Sequence, residues 1–192
     1  WRSFVSILKT SRSDSAVLLA TFGLTVFIDL TIAIEVGMVL AAFLFMRRMT
    51  QISNVDVITN ALSDKNESDD PKAISKYTVP KGVEVFEVNG PFFFGAAYKF
   101  KDSMRFIETS PKVLIIRMRH VPVIDSTGLH TLERAFNETG RTGTKFVISG
   151  IQPGVLKEIE KSHLADKIGR ENILTNIEDA LKRANQVLTL NS

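Results

Sequence analysis

Two apolar runs near the N-terminus dominate the hydropathy pattern. Residues 16–28, AVLLATFGLTVFI, carry no charge. After Asp29 and Leu30, residues 31–46 are apolar except for Glu35, and the run stops at Arg47 and Arg48. A helix needs about 20 apolar residues to cross a bilayer, so neither run does so comfortably alone, and together they are too long for one helix. The pattern predicts two short membrane helices in a hairpin. Asp29 and Glu35 then lie at or near the turn and face protein or water, because carboxylates are costly against lipid. Arg2, Lys9 and Arg12 before the hairpin, and Arg47 and Arg48 after it, put both ends on the cytoplasmic side. A buried hairpin in a large soluble protein is the alternative for runs this short.

Residues 50–76 differ in character. Asn66, Glu67, Ser68, Asp69, Asp70 and Pro71 are polar, acidic and closed by proline, and the stretch has too few apolar residues for a core. It reads as a linker, with the second helix continuing through Val57 and Leu62 as one option. The period changes from Val79 onward. Residues 83–88 alternate apolar and polar, which predicts a strand with one face buried. Asn89, Gly90 and Pro91 mark a turn, Phe92, Phe93 and Phe94 suggest a second short strand, and Gly95 breaks it. Ala97, Phe100, Met104 and Ile107 then fall at helical spacing. Residues 113–116 are branched aliphatics and predict a buried strand. Helices are expected over residues 126–139, through Val155, Leu156 and Ile159, and from about Asn176 to the end, with a strand over 145–149. Strands alternating with helices imply an α/β domain with a mostly parallel sheet under helical cover. The resulting division is a membrane part over 1–49, a linker over 50–78 and an α/β domain over 79–192.

Composition narrows the chemistry. The sequence has no cysteine, which removes disulfides, thiol nucleophiles and cysteine-based zinc sites. The net charge is +3, and from Pro71 onward 18 Lys/Arg stand among 13 Asp/Glu with no basic run. A nucleic-acid binder gathers its charge into a stripe, so no nucleic-acid partner is expected. His120, His130 and His163 lack metal-ligand spacing. No phosphate-binding glycine loop and no nucleophile with an adjacent base stands out, so no cofactor, metal or catalytic residue is expected and the chain does not read as an enzyme.

The most informative stretch is Val121, Pro122, Val123, Ile124, Asp125, Ser126, Thr127, Gly128 and Leu129. It leads from a strand and short loop into a helix. Two hydroxyls and free backbone N–H groups lie at the helix N-terminus, where an anion or phosphate is electrostatically favoured. The plain alternative is that Asp125 or Ser126 caps the helix.

The run from Val123 to Leu129, after a strand such as 113–116, resembles the signature of STAS domains, named for sulfate transporters and anti-sigma-factor antagonists. Upstream, residues 24–30 (LTVFIDL) and Ile34, Glu35, Val36 and Gly37 resemble the last two membrane segments of SulP anion transporters. The resemblance covers essentially the whole chain. It implies the C-terminal end of a bacterial secondary carrier of sulfate, bicarbonate or chloride. That carrier would be a multi-pass inner-membrane protein, its STAS domain in the cytoplasm serving regulation, trafficking or dimerisation. The implied partners are the lipid bilayer, the remaining membrane segments and a second copy, with the anion bound by upstream segments. The resemblance also marks Asp125, Ser126, Thr127 and Gly128 as a regulatory loop. Thr127 holds the position phosphorylated in soluble antagonists, though Ser-Thr stands here where many of those have Ser-Ser. A phosphorylatable partner-switch module of the anti-sigma-antagonist kind is the second reading.

Overall fold

The computed structural model describes residues 12–52, 54–58, 77–104 and 111–190. The chain divides into two compact units, one ending at Gln51 and one beginning at Ile52.

The first unit is a helical hairpin of α1 (Arg12–Phe27) and α2 (Leu30–Ile52). Only Ile28 and Asp29 separate the helices. Asp29 turns the chain into α2, where its Oδ1 accepts the Thr31 N–H at 2.7 Å. The helices meet over small side chains. Ala33 and Gly37 are buried, and a Cβ built on Gly37 would lie 2.7 Å from the Thr21 hydroxyl. Thr21 and Thr25 donate their hydroxyls to the carbonyls four residues earlier, so neither brings an unmet donor into an apolar setting. Leu30–Met49 is long and apolar enough to cross a membrane, and Ser15–Phe27 is a shorter apolar helix. Glu35 does not sit in the turn. It stands in the second turn of α2, exposed, on the side away from α1.

The second unit is a five-stranded sheet in the order β1-β2-β3-β4-β5. Its strands are β1 (Asn54–Ile58), β2 (Val83–Asn89), β3 (Val113–His120), β4 (Lys145–Ser149) and β5 (Ile173–Leu174). β1 is antiparallel to β2, and the remaining neighbours are parallel. Between the parallel strands run α3 (Phe94–Met104), α4 (Ser126–Arg141), then α5 (Pro153–Lys161) and α6 (Leu164–Ile168). A short 3₁₀ turn, Arg170–Asn172, leads into β5, and α7 (Ile177–Leu190) ends the fold.

Strands laid down in sequence order with same-handed crossovers put their connecting helices on one face. Side-chain alternation records this. Phe86, Val88, Leu114, Ile116, Met118, Phe146 and Ile148 pack with Phe100 of α3, Leu132 of α4 and Ile159 of α5. The intervening residues Val83, Val85, Val113, Ile115 and Val147 pack against Ala180, Leu181, Ala184 and Val187 of α7. A sheet covered on both faces reads as near-continuous aliphatic sequence, as β3 does.

The structure departs from the sequence pattern at several points. Alternation in β2 predicts one buried face, yet both are buried: Phe86 and Val88 lie under α3, α4 and α5, while Val83, Val85 and polar Glu87 lie on the face that α7 covers. Phe92, Phe93 and Phe94 do not form a strand. Phe92 makes a single parallel bridge to Ile124, and Phe94 already opens α3. Residues 54–58, expected within the linker, form β1, paired from Asn54↔Asn89 to Ile58↔Val85. Leu62 lies outside the described residues, as does Ile107, the last position of the helical spacing before β3. The strand at 173–174 and the helix at 164–168 have no counterpart in the sequence expectations.

Candidate functional site

The loop at residues 121–125 is shaped by what precedes it. At the end of the β2–β3 pairing, two steps of β2 match three of β3: Glu87 pairs with Arg117 but Asn89 with His120. The chain then turns, with Val121 N–H bonded to the Met118 carbonyl at 3.1 Å. Phe92 N–H donates to the Val123 carbonyl at 2.9 Å, which ties this loop to the segment entering α3.

Asp125 is the N-cap of α4. Its backbone is extended (φ −99°, ψ 179°), and its Oδ1 accepts the Gly128 N–H at 2.8 Å. Its carbonyl accepts the Leu129 N–H at 2.9 Å, the first bond of the helix proper. Ser126 and Thr127 follow on the first turn, both exposed. Gly128 is buried, and a Cβ there would lie 2.3 Å from the Phe92 carbonyl oxygen and 2.8 Å from Ile124 Cγ1. The glycine is needed because backbone sits where a side chain would go. The four residues therefore do different things. Asp125 caps the helix, Gly128 permits the close approach, and Ser126 and Thr127 hold their hydroxyls outward.

Those hydroxyls border a groove of about 590 Å³ between α3 and α4. Its floor includes Ala97, Phe100, Met104 and Ala135, and Tyr98, Lys101, His130 and Arg134 stand on its rim. Arg134 pairs with Glu138 at 3.1 Å along the same helix. Glu133 meets Lys167 of α6, and that hydrogen bond, with the ammonium's charge, holds the Glu133 carboxyl below the usual range. Among the described residues no three His, Asp or Glu side chains gather into a metal site.

A second polar group escaped sequence reasoning. Glu87 is buried on the α7 face, where Arg117 Nη1 donates to its Oε2 at 2.9 Å and Arg119 Nε to its Oε1 at 2.7 Å. Arg117 is in register with Ser149 of β4, whose buried hydroxyl has no hydrogen-bond partner among the described residues. Tyr77 donates its hydroxyl to Glu178 of α7 at 3.0 Å, which pushes the phenol's pKa up. The signal was present as Glu87, Arg117 and Arg119 within aliphatic strands. Only pairing of β2 with β3 shows that they meet.

Residues 75–183 match the STAS domain family. Among curated proteins, YvdB of Bacillus subtilis, assigned as a sulfate transporter, is 28% identical over 179 residues, covering 93% of this chain and 32% of that protein. The bicarbonate transporter BicA of a Synechocystis strain is 25% identical over 177 residues, covering 91% of this chain and 31% of its own length. The chain thus spans about a third of the curated relatives it matches. The crystal structure of a sulfate transporter family protein from Wolinella succinogenes is 40% identical with a TM-score of 0.61, over 63% of this chain and 99% of that one.

Proposed function

Because the chain belongs to the STAS domain family, within the sulfate transporter (SulP) group, we propose that it is the C-terminal part of a membrane carrier of inorganic anions. The observation that carries this reading is the order of parts. An apolar hairpin precedes the STAS sheet, and the likeness to YvdB runs through both, over 93% of the chain. Soluble anti-sigma-antagonist modules have no use for exposed apolar helices such as α1 and α2, so the partner-switch reading is the weaker one.

In this reading α1 and α2 are the last membrane segments of the parent, with both hairpin ends in the cytoplasm. The cytoplasmic domain begins with β1, so that residues 59–76 join β1 to β2 within it. The anion site belongs to the upstream two-thirds. Alternating access needs two repeats moving about a central site, which a hairpin does not supply. Sulfate, bicarbonate and chloride remain the candidate cargo, the relatives named above being described for sulfate and for bicarbonate. The STAS domain would then regulate or dimerise the carrier from the inner face of the bacterial plasma membrane.

Asp125, Ser126, Thr127 and Gly128 form the regulatory surface in this proposal. A phosphate on Thr127 would add about two negative charges at the N-terminus of α4, which favours anions, beside Asp125, which repels them. The fold should tolerate the addition while the surface above the α3–α4 groove changes sign. The test is uptake of labelled sulfate, bicarbonate and chloride into vesicles holding the full-length parent. Uptake of at least one, changed by Thr127→Glu, is the expected result. A parent that moves none of the three, or one indifferent to Thr127→Glu, removes the carrier or the regulatory reading respectively.

A further inference from the structure

Every polar group of the hairpin with a described side chain near the turn is accounted for except one. Asp29 is used as the cap of α2, and Thr21 and Thr25 bond to their own helix. Glu35 has no hydrogen bond or ion pair among the described residues, lies exposed, and belongs to the span Leu30–Met49. At about 100° per residue it stands roughly 160–200° from Ala33 and Gly37, so the carboxylate points directly away from α1. Its depth is about 8 Å along the axis from the start of α2, at 1.5 Å per residue.

A carboxylate at that depth is too costly to leave against acyl chains and too short to reach water as a lysine would. We propose that the Glu35 face of α2 docks against an upstream membrane segment of the parent that supplies a basic side chain, and that this ion pair seats the hairpin. The inference rests on the carrier reading above.

Two observations select that occupant. The nearest cations on α2 itself are Arg47 and Arg48, about 18 Å further along the helix, beyond the reach of any side chain. A second copy of the hairpin would offer nothing better. Both copies enter the membrane in the same sense, so the copy's Arg47 and Arg48 stand at the same distant depth, and its own Glu35 would add a like charge. The curated relatives are about three times as long as the stretch aligned here, which leaves ample chain to contribute the cation.

The test uses the full-length parent in membranes, with folded protein recovered after extraction as the readout. Glu35→Leu should lower recovery, and Glu35→Lys should lower it about tenfold or more, as expected when one partner of a buried pair is removed or reversed. Upstream Arg and Lys residues are then changed singly to Glu in the Glu35→Lys background. One of these reversals should restore recovery to within about twofold of the parent, the expected signature of a swapped pair. Three results overturn the proposal. Unchanged or higher recovery for Glu35→Leu means the face meets lipid. Labelling of Glu35→Cys by a charged, membrane-impermeant thiol reagent means it lines water. Loss without rescue by any reversal means no cation pairs with it. Extraction of the parent by alkaline carbonate would instead remove the membrane reading itself, whatever the Glu35 variants do.

Discussion

Glu87 and Glu35 show how differently the two units treat a charge. Glu87 is buried in the sheet, and its own domain supplies both arginines that satisfy it. Glu35 lies on an apolar helix whose own unit supplies nothing among the described residues. The same contrast holds for apolar surface. Phe27, Met38, Val39 and Phe43 are each more than 60% exposed on the hairpin, whereas beyond it Tyr98, Val123 and Leu190 are the only exposed large hydrophobics among the described residues. The sheet domain closes its interactions internally, as an autonomous domain must. The hairpin turns apolar surface and the Glu35 carboxylate outward, as the carrier reading proposed above expects of a part set in a bilayer beside other segments.

The most direct way to break this comparison is to separate the units. A fragment of residues 54–192 should be soluble and unfold cooperatively in urea, while the whole chain should need detergent. A detergent-free monomer of the whole chain, seen by sedimentation, would abolish the distinction. Within the domain, Glu87→Ala should cost about 3–5 kcal/mol in the urea midpoint analysis, since it removes the buried carboxylate to which both Arg117 and Arg119 donate. Gly128→Ala should cost about 1–3 kcal/mol by the same measurement, because its Cβ would meet the Phe92 backbone rather than a yielding side chain. Asp125→Ala should cost about 1 kcal/mol for the lost cap, with Asp125→Asn close to the parent.

The smallest effect is a pH dependence. The Glu133 carboxyl is lowered by its hydrogen bond to Lys167, so the folded state binds this proton less tightly than the unfolded chain. Its stabilisation is present above the unfolded value near 4.3 and is lost as pH falls through the folded one. Glu133→Gln should therefore reduce stability slightly at pH 7 and make no difference in strong acid, by thermal melts across that range. The pair lies at the surface and is screened by solvent, so the difference at pH 7 should be small.

Much of this was legible because it is local. The apolar runs, the Gly90 turn, the aliphatic β3 and the 3-4 spacing of α7 report on residues within a few positions of one another. So does Asp125, whose capping bond spans three residues. Phe92 misled for the opposite reason. A triplet of phenylalanines looks like a strand, but Gly128 and Ile124, far along the chain, admit only one bridge before α3 begins.

What the sequence determined by itself is the division into an apolar hairpin and an α/β domain, together with the cap and hydroxyls of the Asp125 loop. Hydrophobic period and capping chemistry act over one or two helical turns and need no partner strand. Tertiary structure alone decided that residues 54–58 join the sheet as β1. Five residues become a strand because β2 offers them an edge to pair with. It also decided that Glu87, Arg117 and Arg119 share one buried site. A charge at an alternating strand position reads as solvent-facing until a second layer, here α7, covers that face and pairing must replace water.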